Sequence, residues 1–182
     1  MCALRIVAVS GIRSRNNPIW RHFFAAFKEF LPHGCMEIEE EPMCEFYHIG
    51  RFRRFAGRLV ERYDDGRQTL FVGHSMGGLI SCKVVSELQI TPVVGVITVF
   101  TPHQHWPFAR LLQVPKNPGV PTISFEAERD HLVPWGTRHP LSSLHTKISS
   151  RHLRGIADDP RIARSIVETS LCELCLKPEC AY

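Results

Sequence analysis

Short apolar runs of strand length alternate with longer amphipathic stretches along almost the whole chain, and nothing else limits the fold as tightly. Residues 4–9 read as a strand ending in Ser10-Gly11. Asn17-Pro18 then opens a helix, with proline in the first turn, where its missing N–H costs nothing. Trp20, Phe23, Phe24, Phe27 and Leu31 share one face of that helix. A weak strand is predicted over 36–41. Phe52, Phe55, Ala56, Leu59 and Val60 form a second helical stripe, closed by Asp64-Asp65-Gly66. A short buried strand follows over 69–72, then a helix over 76–88. The longest apolar run, 93–100, reads as a central strand. Two further strands are predicted over 122–125 and 145–149. Asp158-Asp159-Pro160 caps a last helix carrying Ile162, Ile166, Val167 and Leu171.

Strand and helix alternating nearly throughout imply an α/β fold: a three-layer sandwich with a mostly parallel central sheet flanked by helices. Right-handed crossovers place the C-terminal ends of all strands on one edge, where ligands bind in such sheets. At 182 residues the chain reads as a single domain, with a core over about 4–171 and a cysteine-bearing tail over 172–182. It has no internal repeat, low-complexity stretch or linker. No apolar run reaches the ~18 residues of a membrane span. The start lacks the layout of a signal peptide, so a cytoplasmic location is expected. The net charge of +4 is diffuse and does not suggest nucleic acid. The seven cysteines are scattered, which reads as buried or free thiols rather than a disulfide framework.

Gly73-His74-Ser75-Met76-Gly77 matches the pattern G-x-S-x-G, with a predicted strand just before it and a helix just after. That context is what the pattern needs, because its serine occupies a strained strand-to-helix turn. Small residues at 73 and 77 let such a turn close, and Gly78 leaves room between helix and sheet. The helix N-terminus favours negative charge developing near Ser75. Ser75 is therefore the candidate nucleophile.

In this arrangement the chain order is serine, acid, histidine. Between Ser75 and the late histidines lie only Glu87, Glu126, Glu128 and Asp130. Glu87 falls in the helix after the elbow. Glu126 and Glu128 fall near the end of the next-to-last strand, and Asp130 just beyond it. Of the histidines that follow, His145 begins a predicted strand and His152 lies just past that strand's end, on the active edge. His139, in a proline-bounded loop, is the runner-up.

Ser75 in Gly-His-Ser-Met-Gly-Gly, Asp130 in Asp-His-Leu-Val-Pro, and His152 in His-Leu-Arg-Gly-Ile-Ala-Asp-Asp-Pro together resemble the lipase branch of the α/β-hydrolases. The nearest likeness is to small lid-less lipases and esterases, and it runs from Ile6 to about Leu171. The resemblance implies a minimal α/β-hydrolase core without a cap domain. It favours Asp130 over Glu128 and His152 over His139. The family carries His-Gly after its first strand, and the next residue supplies one oxyanion N–H. Here the segment is Ser10-Gly11-Ile12, so Ile12 inherits that role, with the N–H of Met76 as the second donor. Family lipases also carry Thr-Pro-His-x-Gly-Ser after the next strand, where this chain has Thr101-Pro102-His103-Gln104-His105-Trp106. Ser10 and the missing Gly-Ser pair are departures that touch the substrate rather than the triad.

The expected chemistry is hydrolysis of a small-molecule or lipid ester through an acyl-enzyme, with no metal or organic cofactor. Trp106, Leu132 and Val133 are candidates for an apolar acyl site. A thioesterase or amidase would use the same triad, and a catalytically silent binding protein could share the fold. Arg51, Arg54, Arg58 and Arg62 fall on one helical face. Peripheral contact with anionic lipid is one reading of them, but a solvated face opposite the apolar stripe explains them more simply. Cys172, Cys175 and Cys180 lack the fourth ligand of a zinc site.

Overall fold

The computed structural model describes residues 3–11, 18–32, 34–42, 49–103, 109–110, 113–133, 138–151 and 154–176. Six strands form: β1 (Leu4–Val9), β2 (Met36–Glu41), β3 (Thr69–His74), β4 (Val93–Val99), β5 (Thr122–Arg129) and β6 (Leu144–Arg151). Among the described residues, the helices between and after them include α1 (Pro18–Phe30), α2 (Ile49–Tyr63), α3 (Met76–Glu87), α4 (Arg154–Asp158) and α5 (Pro160–Glu173). The strands lie in the order β2-β1-β3-β4-β5-β6, and every neighbouring pair is parallel. The order reverses at β1, which has β2 on one side and β3 on the other.

Alternation along the strands sorts the core into two layers. Ile6, Ala8, Leu70, Val72, Ile97, Val99, Ile123 and Phe125 join α1, α4 and α5 in one cluster. Val7, Val9, Phe71 and Val96 join α2 and α3 in the other. Each helix buries the stripe its sequence pattern marks: Trp20, Phe23 and Phe27 from α1, and Phe52, Phe55, Ala56 and Leu59 from α2. On the opposite side of α2, Arg51, Arg54 and Arg58 are exposed, while Arg62 pairs with Glu39 and Glu41 of β2. Helix α3 differs, with apolar or small buried residues nearly all round it, as suits a helix at the centre of a layer. No helix among the described residues is long and apolar enough to cross a membrane.

Two strands run further than their apolar pattern. β5 continues through Glu126 to Arg129, and β6 through Ser150 to Arg151, because ladder hydrogen bonds do not require apolar side chains. Helix α4 is a single short turn with no periodicity for a sequence pattern to reveal. The cap of α5 forms as the sequence predicts: Pro160 stands at its start and the Asp159 carboxylate accepts from the Arg161 N–H (3.0 Å).

Candidate active site

At the end of β3 the chain turns directly into α3, and Ser75 is the residue at the turn. Its backbone lies at φ 54°, ψ −127°, a conformation a non-glycine residue adopts only under constraint. The constraint is visible around it. The Ser75 N–H donates to the Val99 carbonyl at the end of β4 (2.9 Å), and its own carbonyl accepts from the Gly78 N–H (3.1 Å). The serine hydroxyl does not cap the helix it precedes, and the side chain is half-buried.

Glycines make the turn possible. A Cβ at Gly73 would strike the backbone of Gly77 and Gly78. One at Gly77 would overlap the Val9 carbonyl, and one at Gly78 the Thr101 side chain. Helix α3 therefore starts in direct contact with the ends of β1 and β4. Gly11 approaches from β1: a Cβ there would lie 2.9 Å from the Ser75 Cβ and 3.4 Å from its Oγ. Pairing of Val9 with Gly73 sets this neighbourhood, because it brings the ends of β1 and β3 side by side at the point where the strand order reverses.

Ser10 is completely buried, and its hydroxyl accepts from Trp20 Nε1 (2.5 Å) and donates to Glu40 (3.3 Å). Its N–H donates to the Glu41 carbonyl (3.0 Å). The departure from the family's histidine thus ties the end of β1 to α1 and β2. Burial raises the Glu40 carboxyl above its ordinary range, opposed by the bond from Ser10. Trp20 and Glu40 are separated from Ser10 in sequence, so no local motif announces this arrangement.

Asp130 directly follows β5. One of its carboxylate oxygens accepts from the N–H groups of Leu132 (2.9 Å) and Val133 (2.8 Å), which folds the loop back over the strand end. Leu132 is 53% exposed and Val133 is buried. The strand residues before Asp130 and His152, Arg129 and Arg151, are paired in the sheet. Met76 stands at the first turn of α3, almost fully buried. Ile12, Trp106 and His152 lie outside the described residues.

The alternative acids and histidines are engaged elsewhere. Glu87 pairs with Lys83 one turn earlier on α3 (2.6 Å), and Glu128 is exposed. Glu126 faces His145 (3.2 Å), whose other ring nitrogen lies 2.9 Å from Ser124 Oγ. Burial lowers the His145 imidazole below its ordinary value, with Glu126 opposing. His139, the runner-up, is buried with its ring edge-to-face against His103.

A six-stranded parallel sheet flanked by helices in this way has counterparts among known folds. A family model described as alpha/beta hydrolase fold matches residues 36–123. The chain has the α/β-hydrolase fold. Solved structures extend the likeness in fold over nearly all of the chain. Est1E from Butyrivibrio proteoclasticus is 14% identical with a TM-score of 0.64, covering 97% of this chain and 89% of that one. A carboxylesterase from Nitrososphaera gargenis is 14% identical with a TM-score of 0.65, covering 96% and 92%. A thermophilic esterase from Thermogutta terrifontis is 11% identical with a TM-score of 0.61, covering 95% and 91%. No curated protein sequence matches the chain.

Proposed function

We propose that this chain is a serine hydrolase of carboxylic esters that works through an acyl-enzyme, and that it takes apolar acyl groups. The observation that carries the reading is Ser75 itself: a serine at φ 54°, ψ −127° between β3 and α3, with its hydroxyl not spent on capping the helix. A backbone strained in this way is retained where it aims a side chain. The likeness in fold to a carboxylesterase and to a thermophilic esterase supports the same class.

In this mechanism Ser75 Oγ attacks the ester carbonyl carbon while His152 accepts its proton. The carbonyl oxygen becomes an oxyanion held by the N–H groups of Met76 and Ile12. The tetrahedral intermediate collapses, the C–O bond to the leaving alcohol breaks, and His152 returns the proton to that alcohol. Water then repeats the sequence on the acyl-enzyme and releases the acid and Ser75. Asp130 holds the imidazole in the required tautomer and stabilises its protonated form. The pairing of Arg129 with Arg151, the residues that precede Asp130 and His152 in the sequence, supports this role. The fixed orientation of the Asp130 carboxylate supports it as well. Trp106, Leu132 and Val133 form the apolar acyl site, and the connection over 100–121 is too short for a separate cap.

A fluorophosphonate probe tests the proposal. The intact protein should be labelled once, and the modified peptide should contain Ser75. A protein that is not labelled, or is labelled at another serine, would overturn the nucleophile assignment. A series of p-nitrophenyl esters from two to twelve carbons tests the acyl preference. Each added methylene contributes at most ~0.8 kcal/mol until the cleft is filled. A flat profile rejects the apolar site, and turnover of thioesters alone moves the chain to the thioesterase class.

A further inference from the structure

On the face of the sheet that carries α2 and α3, β5 is covered by the connections that follow β4 and β5 rather than by an apolar helical stripe. Two histidines lie in those connections, and one cysteine of α3 meets them. His103 follows β4, with its N–H donating to the Thr101 carbonyl (2.8 Å). His139 precedes β6, with its N–H directed at Ser124 Oγ of β5 (3.4 Å). Cys82 lies one turn beyond Gly78, the residue that packs against Thr101, and is completely buried. The sulfur of Cys82 and one ring nitrogen from each histidine all lie within 4.8 Å of one another. The two rings meet edge to face with centroids 4.6 Å apart. His103 Nε2 is sealed from solvent and has no hydrogen-bond partner among the described residues. Buried ring nitrogens are nearly always satisfied, so this atom calls for a partner.

We propose that Cys82, His103 and His139 form a metal site that binds one zinc ion. One thiolate and two imidazoles are donors zinc prefers, and a single water bound with the ion would complete the tetrahedron. Zinc bonds of about 2.3 Å to sulfur and about 2.0–2.1 Å to nitrogen place tetrahedral donors some ~3.5 Å apart. The group therefore contracts by roughly an ångström, within the reach of side-chain adjustment. Burial keeps both rings neutral, with His139 lowered to about 4 and His103 well below its ordinary value, so each has a lone pair at neutral pH. Burial also pushes the Cys82 thiol up to about 12, so binding releases one proton as the thiolate forms on the metal. The Leu141 N–H that donates to His139 Nδ1 (3.2 Å) is given up, whether that nitrogen binds the metal or takes the ring proton from Nε2. The ion would tie the helix that begins at Ser75 to both loops beside the candidate active site. The site stands independently of the hydrolase reading.

The test uses the full chain with Cys172, Cys175 and Cys180 all replaced by Ser, which removes the other cysteine cluster from the readout. After chelation, titration with Co²⁺ should give one bound equivalent with an intense near-ultraviolet thiolate-to-cobalt band, which Zn²⁺ displaces. Zn²⁺ should raise the melting temperature of this protein. His103→Gln and His139→Gln should each weaken Zn²⁺ binding about a hundredfold or more. Cys82→Ser should abolish the band, and the two histidine variants decide the question if Cys82→Ser does not fold. No thiolate band in the protein lacking the tail cysteines would overturn the proposal. A band that survives both histidine substitutions would overturn it equally.

Discussion

The two halves of the sheet's α2–α3 face are held together by different forces. Over β1, β3 and β4 the strands send Val7, Val9, Phe71 and Val96 into the helices, and close apolar contact does the work. Over β5 and β6 the strands send Ser124, Glu126 and His145 outward, and these groups bond to each other and to the backbone of the loop at His139. The first half carries Ser75 and the second carries Asp130. Steric contact leaves the elbow a single geometry, because any added atom at Gly77 or Gly78 overlaps a neighbour. Hydrogen bonds on the second half are directional but individually modest, about 1 kcal/mol net each. The half that positions Ser75 is thus set by packing, and the half that carries Asp130 is set by polar bonds.

Activity measurements probe this division most strongly. On the proposed reading, Ser75→Ala should lower kcat for ester hydrolysis by on the order of 10⁵ while leaving the melting temperature nearly unchanged. Wild-type activity in this variant would remove the elbow from the chemistry. Asp130→Asn should cost roughly 10³- to 10⁴-fold in kcat, whereas Glu128→Gln should cost little. The reverse ranking would assign the acid to the strand instead of the loop.

Stability measurements come next. Gly77→Ala should destabilise by roughly 3 kcal/mol or more, because the new methyl meets the Val9 carbonyl and backbone cannot move aside cheaply. Gly57→Ala on α2 meets open space and should gain up to about 1 kcal/mol through helix propensity. Denaturant unfolding of the two variants reads the contrast directly. On the same scale Leu79→Ala, in the apolar half, should cost about 2–5 kcal/mol, and Ser124→Ala, in the polar half, about 1 kcal/mol. Equal costs would erase the distinction between the halves.

The smallest effect concerns acid. Asp65 accepts two bonds from the buried Arg5 guanidinium (2.8 and 2.9 Å), and these bonds hold its carboxyl well below the ordinary range. A depressed carboxyl contributes stability above the unfolded value of about 4 and loses it as pH falls below that point. Melting temperature should therefore decline more steeply below about pH 4 in the wild type than in Asp65→Asn. Parallel curves would show that the Arg5–Asp65 pair carries no pH-linked stability.

Much of this was legible in the residues because it depends on neighbours in sequence. The stripes of α1 and α2, the strand before Ser75 and the cap at Asp159 each express a period or a contact over a few positions. The extension of β5 and β6 was not legible, since Glu126, Arg129 and Arg151 pair through backbone groups that their side chains do not advertise. The anchoring of Ser10 by Trp20 and Glu40 was not legible either, because it joins three separate elements.

By itself the sequence determined the alternation of strand and helix, the α/β class and the placement of Ser75 at a glycine-lined turn. These follow from local sterics and periodicity, which every stretch of chain carries with it. Tertiary structure alone decided that Gly11 lies against Ser75, through the pairing of Val9 with Gly73. It alone gathered Cys82, His103 and His139, which lie on three separate segments and meet only because α3 packs beside β4 and the residues that follow β4 and precede β6 come up against it. Strand order fixes such meetings, and strand order is chosen by the burial of the whole sheet, which no single segment encodes.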